Sequence, residues 1–106
     1  MDADDARALA DAGALILDVR EDDEWAAGHA PGAAHIALGA LPVRHTSVPL
    51  DRQVVAVCRG GGRSQRAAEA LRNAGYDVVN LSGGMQAWAA AGHPVVTDDG
   101  APGAVI

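Results

Sequence analysis

A single cysteine, Cys58, is the most reactive side chain that this sequence contains. It follows the apolar run 54–57 and precedes a short loop that leads into an alanine-rich helical pattern. The loop residues are Arg59, Gly60, Gly61, Gly62, Arg63 and Ser64. Backbone N–H groups of such a loop, and of the first helical turn, can converge on a negatively charged atom. We therefore predict that Cys58 is a thiolate nucleophile, which requires its sulfur to be ionised and within reach of solvent.

The composition of the loop favours anion binding beside this thiol. Glycine adopts positive φ angles without strain, so residues 60–62 are interpreted as the positions that turn backbone N–H groups inward. Arg59 and Arg63 carry planar guanidinium groups that suit the oxygens of a sulfonate. The alternatives are a flexible surface loop and a cysteine that packs as a small buried apolar residue.

Two charged residues, Asp18 and Arg20, follow an earlier apolar run and are predicted to support the site. For Asp18 we expect a structural role, in which it either holds an arginine of the loop or caps a turn. Arg20 either reaches the mouth of the site or pairs with the acidic residues 21–24, and the sequence leaves both alternatives open.

The composition limits the classes of function. The chain has 106 residues and a formal net charge of -6, which indicates one domain and argues against nucleic acid or an anionic membrane as a partner. No apolar run approaches the roughly 20 residues of a membrane span, and the acidic N-terminus lacks a secretory signal. Because a lone cysteine forms no internal disulfide, we expect the reducing cytoplasm. Small domains of this kind are often monomeric, so we expect a monomer. The histidines are scattered, so no metal site is expected.

The apolar and capping patterns predict helices alternating with strands. Helices are expected at 3–12, 21–27, 64–74 and 85–91, strands at 14–18, 35–38, 54–57 and 78–81, and a weak helix or loop at 39–47. Ser64 is the expected N-cap of the third helix. This alternation implies an α/β fold with a mostly parallel sheet covered on both faces. We expect one domain at 1–96 and a flexible tail at 97–106.

With these residues in place, the chain resembles the rhodanese family of single-domain sulfurtransferases from about residue 4 to residue 96. Four sequence blocks occur in that family's order. They are LDVRE at 17–21, EWAAGHAPGA at 24–33, VCRGGGRS at 57–64 and LSGGMQAW at 81–88. The chain departs from the family pattern in three places: little room precedes the first strand for the family's opening strand, Ala30 replaces a common Ile, and Gly60 replaces a frequent Ser.

The resemblance implies a three-layer rhodanese-like sandwich, with a sheet of five strands, or four if the opening strand is absent. It also implies that Cys58 carries sulfur as a persulfide and that residues 59–63 surround that sulfur. We call residues 59–63 the active loop. The implied reaction moves a sulfane sulfur from a small anionic donor such as thiosulfate to cyanide or a thiol, including a thiol on a protein, without a cofactor.

Three other functions compete with this interpretation. A persulfide carrier or sensor would use the same thiolate without efficient turnover of small molecules. Cell-cycle phosphatases and arsenate reductases resemble this pattern but have five residues between cysteine and arginine, whereas four separate Cys58 from Arg63 here. A thiol-disulfide oxidoreductase would need a second cysteine.

Overall fold

The computed structural model describes residues 1–106, and helices alternate with strands along the chain. The strands are β1 (Leu15–Asp18), β2 (Ala34–His35), β3 (Val54–Val57) and β4 (Val78–Asn80). The helices are α1 (Ala3–Asp11), α2 (Asp22–Ala27), α3 (Leu41–Arg44), α4 (Gly62–Asn73) and α5 (Gly84–Ala90), and 3-10 turns at Leu38–Ala40 and His45–Ser47 flank α3. None of the helices is both long enough and apolar enough to cross a bilayer.

The four strands form one parallel sheet in the order β2-β1-β3-β4. In the register of β1 with β3, Leu15 lies opposite Val54 and Asp18 lies opposite Val57. The carboxyl ends of the two central strands therefore meet at one edge of the sheet, where parallel α/β folds place their sites. The predicted α/β sandwich, in its four-stranded form, is confirmed.

Side chains of β3 alternate between two cores, one on each face of the sheet. Val54, Ala56 and Cys58 belong to the core under α3 and α4, while Val55 and Val57 belong to the core under α1 and α5. Because both faces are covered, every residue of β3 is buried, and the strand is a continuous apolar run. The cysteine thus follows the most enclosed strand of the fold.

The helix that faces the active loop across the site begins with a capping box. The backbone N–H of Glu21 donates to Oε1 of Glu24 at 3.1 Å, and the side chain of Glu21 in turn accepts from the backbone of Glu24. This arrangement satisfies N–H groups at the start of α2 that no helical partner reaches. It also holds the carboxylate of Glu24 in a defined orientation.

Two elements differ from the sequence prediction by more than one residue at a boundary. The strand expected at 35–38 is the shorter β2, Ala34–His35, because the chain turns into a 3-10 helix at Leu38. Helix α4 begins at Gly62 rather than after Ser64, with Gly61 as its N-cap. The N-cap prediction for Ser64 was therefore wrong, and its hydroxyl is used elsewhere.

Residues 97–106, for which the sequence predicts a flexible tail, lie against the domain. The N–H of Gly103 donates to the carbonyl of Val95 at 2.8 Å, and the N–H of Ala104 donates to the carbonyl of Ala27 at 2.9 Å. Gly103 is also packed so closely that a Cβ there would lie 2.8 Å from Cα of Gly28. These contacts place the tail beside α2, while its mobility and the domain boundary at residue 96 stay predictions.

Candidate active site

Cys58 directly follows β3, and its position is set by backbone contacts with α5. The carbonyl oxygen of Cys58 accepts from the N–H of Met85 at 2.7 Å, and that of Arg59 accepts from the N–H of Gln86 at 3.0 Å. Only glycine fits at the first residue of α5, because a Cβ on Gly84 would lie 2.3 Å from the carbonyl oxygen of Cys58. The start of α5 therefore anchors the active loop.

The sulfur of Cys58 accepts hydrogen bonds from the loop and from α4. The N–H of Gly61 lies 3.0 Å from Sγ, and Oγ of Ser64 lies 3.3 Å from Sγ. Burial opposes ionisation most strongly, but donors on Ser64, Gly61 and Arg63 together outweigh burial and lower the pKa of the Cys58 thiol. The geometry therefore favours a thiolate, as the residue types in this pattern predict.

The thiol is less accessible than the sequence interpretation requires. Cys58 has only 1% of its surface exposed. The largest surface cavity, about 270 Å³, is lined mostly by apolar residues of the α3 and α4 region and includes no residue of the active loop. The sulfur therefore sits under its loop rather than in an open pocket, and access to it depends on the loop.

The three loop glycines are not equivalent. Only Gly61 has a positive φ, 109°, and it begins α4 from the left-handed region. A Cβ at Gly61 would lie 3.3 Å from the backbone nitrogen of Gly83. The conformational reason for glycine holds at Gly61, whereas Gly60 and Gly62 have no positive φ.

Arg63 forms a bidentate ion pair with Glu24 across the site. Its Nη1 lies 2.6 Å from Oε1 and its Nη2 lies 2.9 Å from Oε2 of the carboxylate. The hydrogen bonds from Arg63 lower the pKa of Glu24 to about 2 although partial burial opposes this. The same pairing raises the pKa of the Arg63 guanidinium. The pair joins α2 to the start of α4 and balances the charge of Arg63.

Arg59 is held differently, by a main-chain oxygen and a side-chain amide. Its Nε donates to the main-chain oxygen of Ile106 at 2.9 Å. The amide of Gln86, oriented with its oxygen toward the guanidinium, accepts from Nη1 at 3.0 Å and from Nη2 at 3.2 Å. Unlike Arg63, Arg59 therefore pairs with no side-chain carboxylate.

Asp18 and Arg20 form a fully buried ion pair at the end of β1. Nη2 of Arg20 lies 2.8 Å from Oδ2 of Asp18, and neither side chain is exposed. Asp18 also accepts from the backbone N–H of Arg20 at 3.0 Å, while Arg20 donates to the carbonyl of Gly28 at 2.7 Å. Asp18 therefore caps its own turn and holds no arginine of the active loop. Arg20 follows neither expected alternative, since it ties the end of β1 to the end of α2.

The comparison with protein families decides what this arrangement is. A family model described as "Rhodanese-like domain" matches residues 2–91, which is most of the chain. The chain belongs to the rhodanese family. The resemblance seen in its four sequence blocks is thereby confirmed.

Individual relatives of this rhodanese agree with the family assignment. A sulfurtransferase of Allochromatium vinosum is 41% identical over 87 residues, which is 81% of each chain. The thiosulfate sulfurtransferase GlpE of Stutzerimonas stutzeri is 37% identical over 78% of this chain and 77% of its own length. A rhodanese-related protein of Thermoplasma volcanium superposes with a TM-score of 0.88 at 31% identity, covering 92% of this chain and 97% of its own. Family and relatives support sulfurtransferase activity in general.

Sequence reasoning missed three residues of this rhodanese site. Glu24 pairs with Arg63, Asn80 contacts Ser64, and Gln86 holds Arg59. Glu24 and Gln86 lie inside the quoted sequence blocks, so their neighbourhood was indicated but their contacts were not. No local pattern singles out Asn80, which becomes visible only when β4 is placed beside β3.

Proposed function

We propose that this rhodanese transfers a sulfane sulfur from a donor such as thiosulfate to cyanide or a thiol, through a persulfide on Cys58. The observation that carries the proposal is the position of Sγ, which accepts from the N–H of Gly61 at 3.0 Å and lies 3.3 Å from Oγ of Ser64. Donors held in this way stabilise a charged sulfur without having to reorganise during the reaction.

The transfer takes place in two steps. In the first step the Cys58 thiolate attacks the outer sulfur of thiosulfate, an S–S bond forms to the cysteine, and sulfite leaves with the electron pair of the broken bond. In the second step the acceptor attacks the outer sulfur of the persulfide, and the electron pair of the S–S bond returns to Cys58 as thiolate. Each step replaces one bond to sulfur with another, so no oxidant, metal or cofactor is consumed.

The two arginines of the loop have different roles in this proposal. Arg59, which pairs with no side-chain carboxylate, supplies the attraction for the sulfonate oxygens. Arg63, whose charge is balanced by Glu24, keeps the loop closed around the sulfur. Asp18 and Arg20 support the site from beneath, by fixing the end of β1 beside Cys58.

The bidentate pair also argues against phosphatase chemistry. A phosphatase of this general type needs its loop arginine for the phosphate oxygens, whereas both terminal nitrogens of Arg63 already donate to Glu24. A persulfide adds only one sulfur atom beside the loop amides. Turnover of an aryl phosphate, with no sulfur uptake from thiosulfate, would refute sulfur transfer and favour the phosphatase.

Intact-mass analysis after exposure to thiosulfate tests the proposal directly. The native protein is expected to gain one sulfur atom, and Cys58→Ser is expected to gain none. Equal gains in both proteins would mean that sulfur is bound elsewhere. Steady-state kinetics with cyanide and with small thiols then separates an enzyme from a carrier: stable loading without turnover would favour delivery to a thiol on a partner protein.

Compartment and assembly belong to the same proposal. The thiolate must stay free of disulfides to accept sulfur, which a reducing cytoplasm ensures. We propose a monomer, because single domains of this small size are often monomeric. Light scattering at the concentrations used for kinetics tests the monomer.

A further inference from the structure

The hydroxyl of Ser64 has one proton and three possible acceptors. Its Oγ lies 2.6 Å from Oδ1 of Asn80, 3.2 Å from the carbonyl oxygen of Gly61 and 3.3 Å from Sγ of Cys58. Because a hydroxyl donates only one strong hydrogen bond, these three atoms compete for the same proton.

The carbonyl of Gly61 is already satisfied by other donors. It accepts from Nδ2 of Asn80 at 3.2 Å and from the backbone N–H of Gln65 at 3.1 Å, which occupies both of its lone pairs. The first of these bonds also orients the amide, so that Oδ1 of Asn80 points toward Ser64. The proton of Ser64 therefore goes either to Asn80 or to the sulfur.

The protonation state of the sulfur decides between these two acceptors. When Cys58 is a thiol, its S–H is a donor, so Oγ of Ser64 accepts from it and donates its own hydrogen bond to Oδ1 of Asn80. When Cys58 is a thiolate, the sulfur is an acceptor and draws the Ser64 proton through a charge-assisted bond, which is roughly twice as strong as a neutral one. Asn80 then loses its donor.

We infer that Asn80 is a positioning residue for the Ser64 hydroxyl: it accepts the hydrogen bond of that hydroxyl while the sulfur is a thiol, and it competes with the sulfur for this bond when Cys58 is a thiolate. Asn80 ends β4, directly beside Ala56 of β3, so the sheet itself sets its distance from the site. The role of Asn80 in sulfur transfer rests on the proposed function, whereas its competition with the thiolate does not.

Alkylation of Cys58 by iodoacetamide, followed across pH, measures this competition. Asn80→Leu keeps a similar volume and removes the competing acceptor. The Ser64 hydroxyl can then donate its hydrogen bond to the thiolate without competition. We expect alkylation below the titration midpoint to become about threefold to fivefold faster, the equivalent of about one neutral hydrogen bond. In the Ser64→Ala background the same substitution should leave the rate within about twofold. An equal change in both backgrounds, or slower alkylation of Asn80→Leu, would overturn the inference.

A second variant, Asn80→Asp, covers the case in which Asn80→Leu does not fold. Its carboxylate still accepts a hydrogen bond from Ser64, and this bond is stronger than the one to the amide. Alkylation should therefore be slower than in the native protein. Part of the slowing must disappear in Ser64→Ala, because the remainder comes from charge alone. Asn80→Asp that alkylates as fast as the native protein, or that slows equally without the hydroxyl, would also overturn the inference. The assay needs no sulfur donor, so it gives a result even if the native protein takes up no sulfur from thiosulfate.

Discussion

The ion pair between Glu24 and Arg63 should make the stability of this rhodanese depend on pH in a specific way. Replacing Glu24 by Gln keeps the shape of the side chain and removes its charge. The carboxylate accepts from Nη1 at 2.6 Å and from Nη2 at 2.9 Å, and its pKa falls from 4.5 to about 2. A fall of this size corresponds to about 3 kcal/mol of stability above the ordinary pKa.

Solvent reduces that value, because the side chains of Glu24 and Arg63 are 13% and 31% exposed. We therefore expect Glu24→Gln to lower the free energy of unfolding by about 2 kcal/mol at pH 7. The sign follows from the lowered pKa: the stabilisation is present above pH 4.5 and is lost as pH falls from there toward about 2. The native protein and the variant should therefore converge in acid.

Urea denaturation at pH 7, 5.5, 4 and 3 measures this convergence as the difference in free energy of unfolding. Asp23→Asn is the matched control, because Asp23 lies in the same first turn of α2 but is exposed and forms no ion pair. Its effect should stay within about 0.5 kcal/mol at neutral pH. A deficit of Glu24→Gln that stays constant from pH 7 to pH 3 would refute the ion pair as the source of the stabilisation.

Three further predictions concern the loop, its anchor and the tail. Arg63→Ala should lower kcat/KM for thiosulfate by about tenfold or more, because it releases the loop. Arg72→Ala removes only a hydrogen bond to a backbone carbonyl and should change kcat/KM less than about twofold. Equal losses in the two variants would indicate a general effect of positive charge. Gly84→Ala should lower the free energy of unfolding by at least about 2 kcal/mol more than Gly32→Ala does. Both glycines have positive φ, but only at Gly84 would a Cβ lie 2.3 Å from a carbonyl oxygen. Comparable losses in urea denaturation would contradict the role of the start of α5 as an anchor for the active loop. Hydrogen exchange of the amides at 103–104 should be slow because both donate to carbonyls of the domain, and fast exchange there would establish the flexible tail.

The sequence predicted the elements around the nucleophile well because their signals are local. The apolar run 54–57 matches β3 residue for residue, and the break at Cys58 is marked by the glycines that follow. Strand β2 was predicted less well, because a pair of residues at the edge of a sheet leaves only a short apolar pattern. The N-cap was placed at Ser64 because serine is a residue type that suits a helix start. In the structure Gly61 is the N-cap instead, with a positive φ.

The pairings of the charged residues could not be predicted in the same way. Arg63 and Glu24 are 39 positions apart. The acidic run 21–24 contains four carboxylates, and the sequence does not distinguish which of them pairs with an arginine. In the folded protein one of them, Glu24, both closes the capping box of α2 and pairs with Arg63. Arg20 lies two positions from Asp18, yet its pairing with Asp18 was not among the expected alternatives.

The sequence by itself determined the family and the candidate nucleophile with its loop, because these depend on residue types and backbone preferences within short stretches of chain. The tertiary structure decided how the charges and protons around the sulfur are distributed. It pairs Arg63 with Glu24, holds Arg59 against Gln86, and places Asn80 beside Ser64. The physical reason is that hydrogen bonds act over about 3 Å, and residues so far apart in the chain come within that distance only when the sheet and its helices have packed.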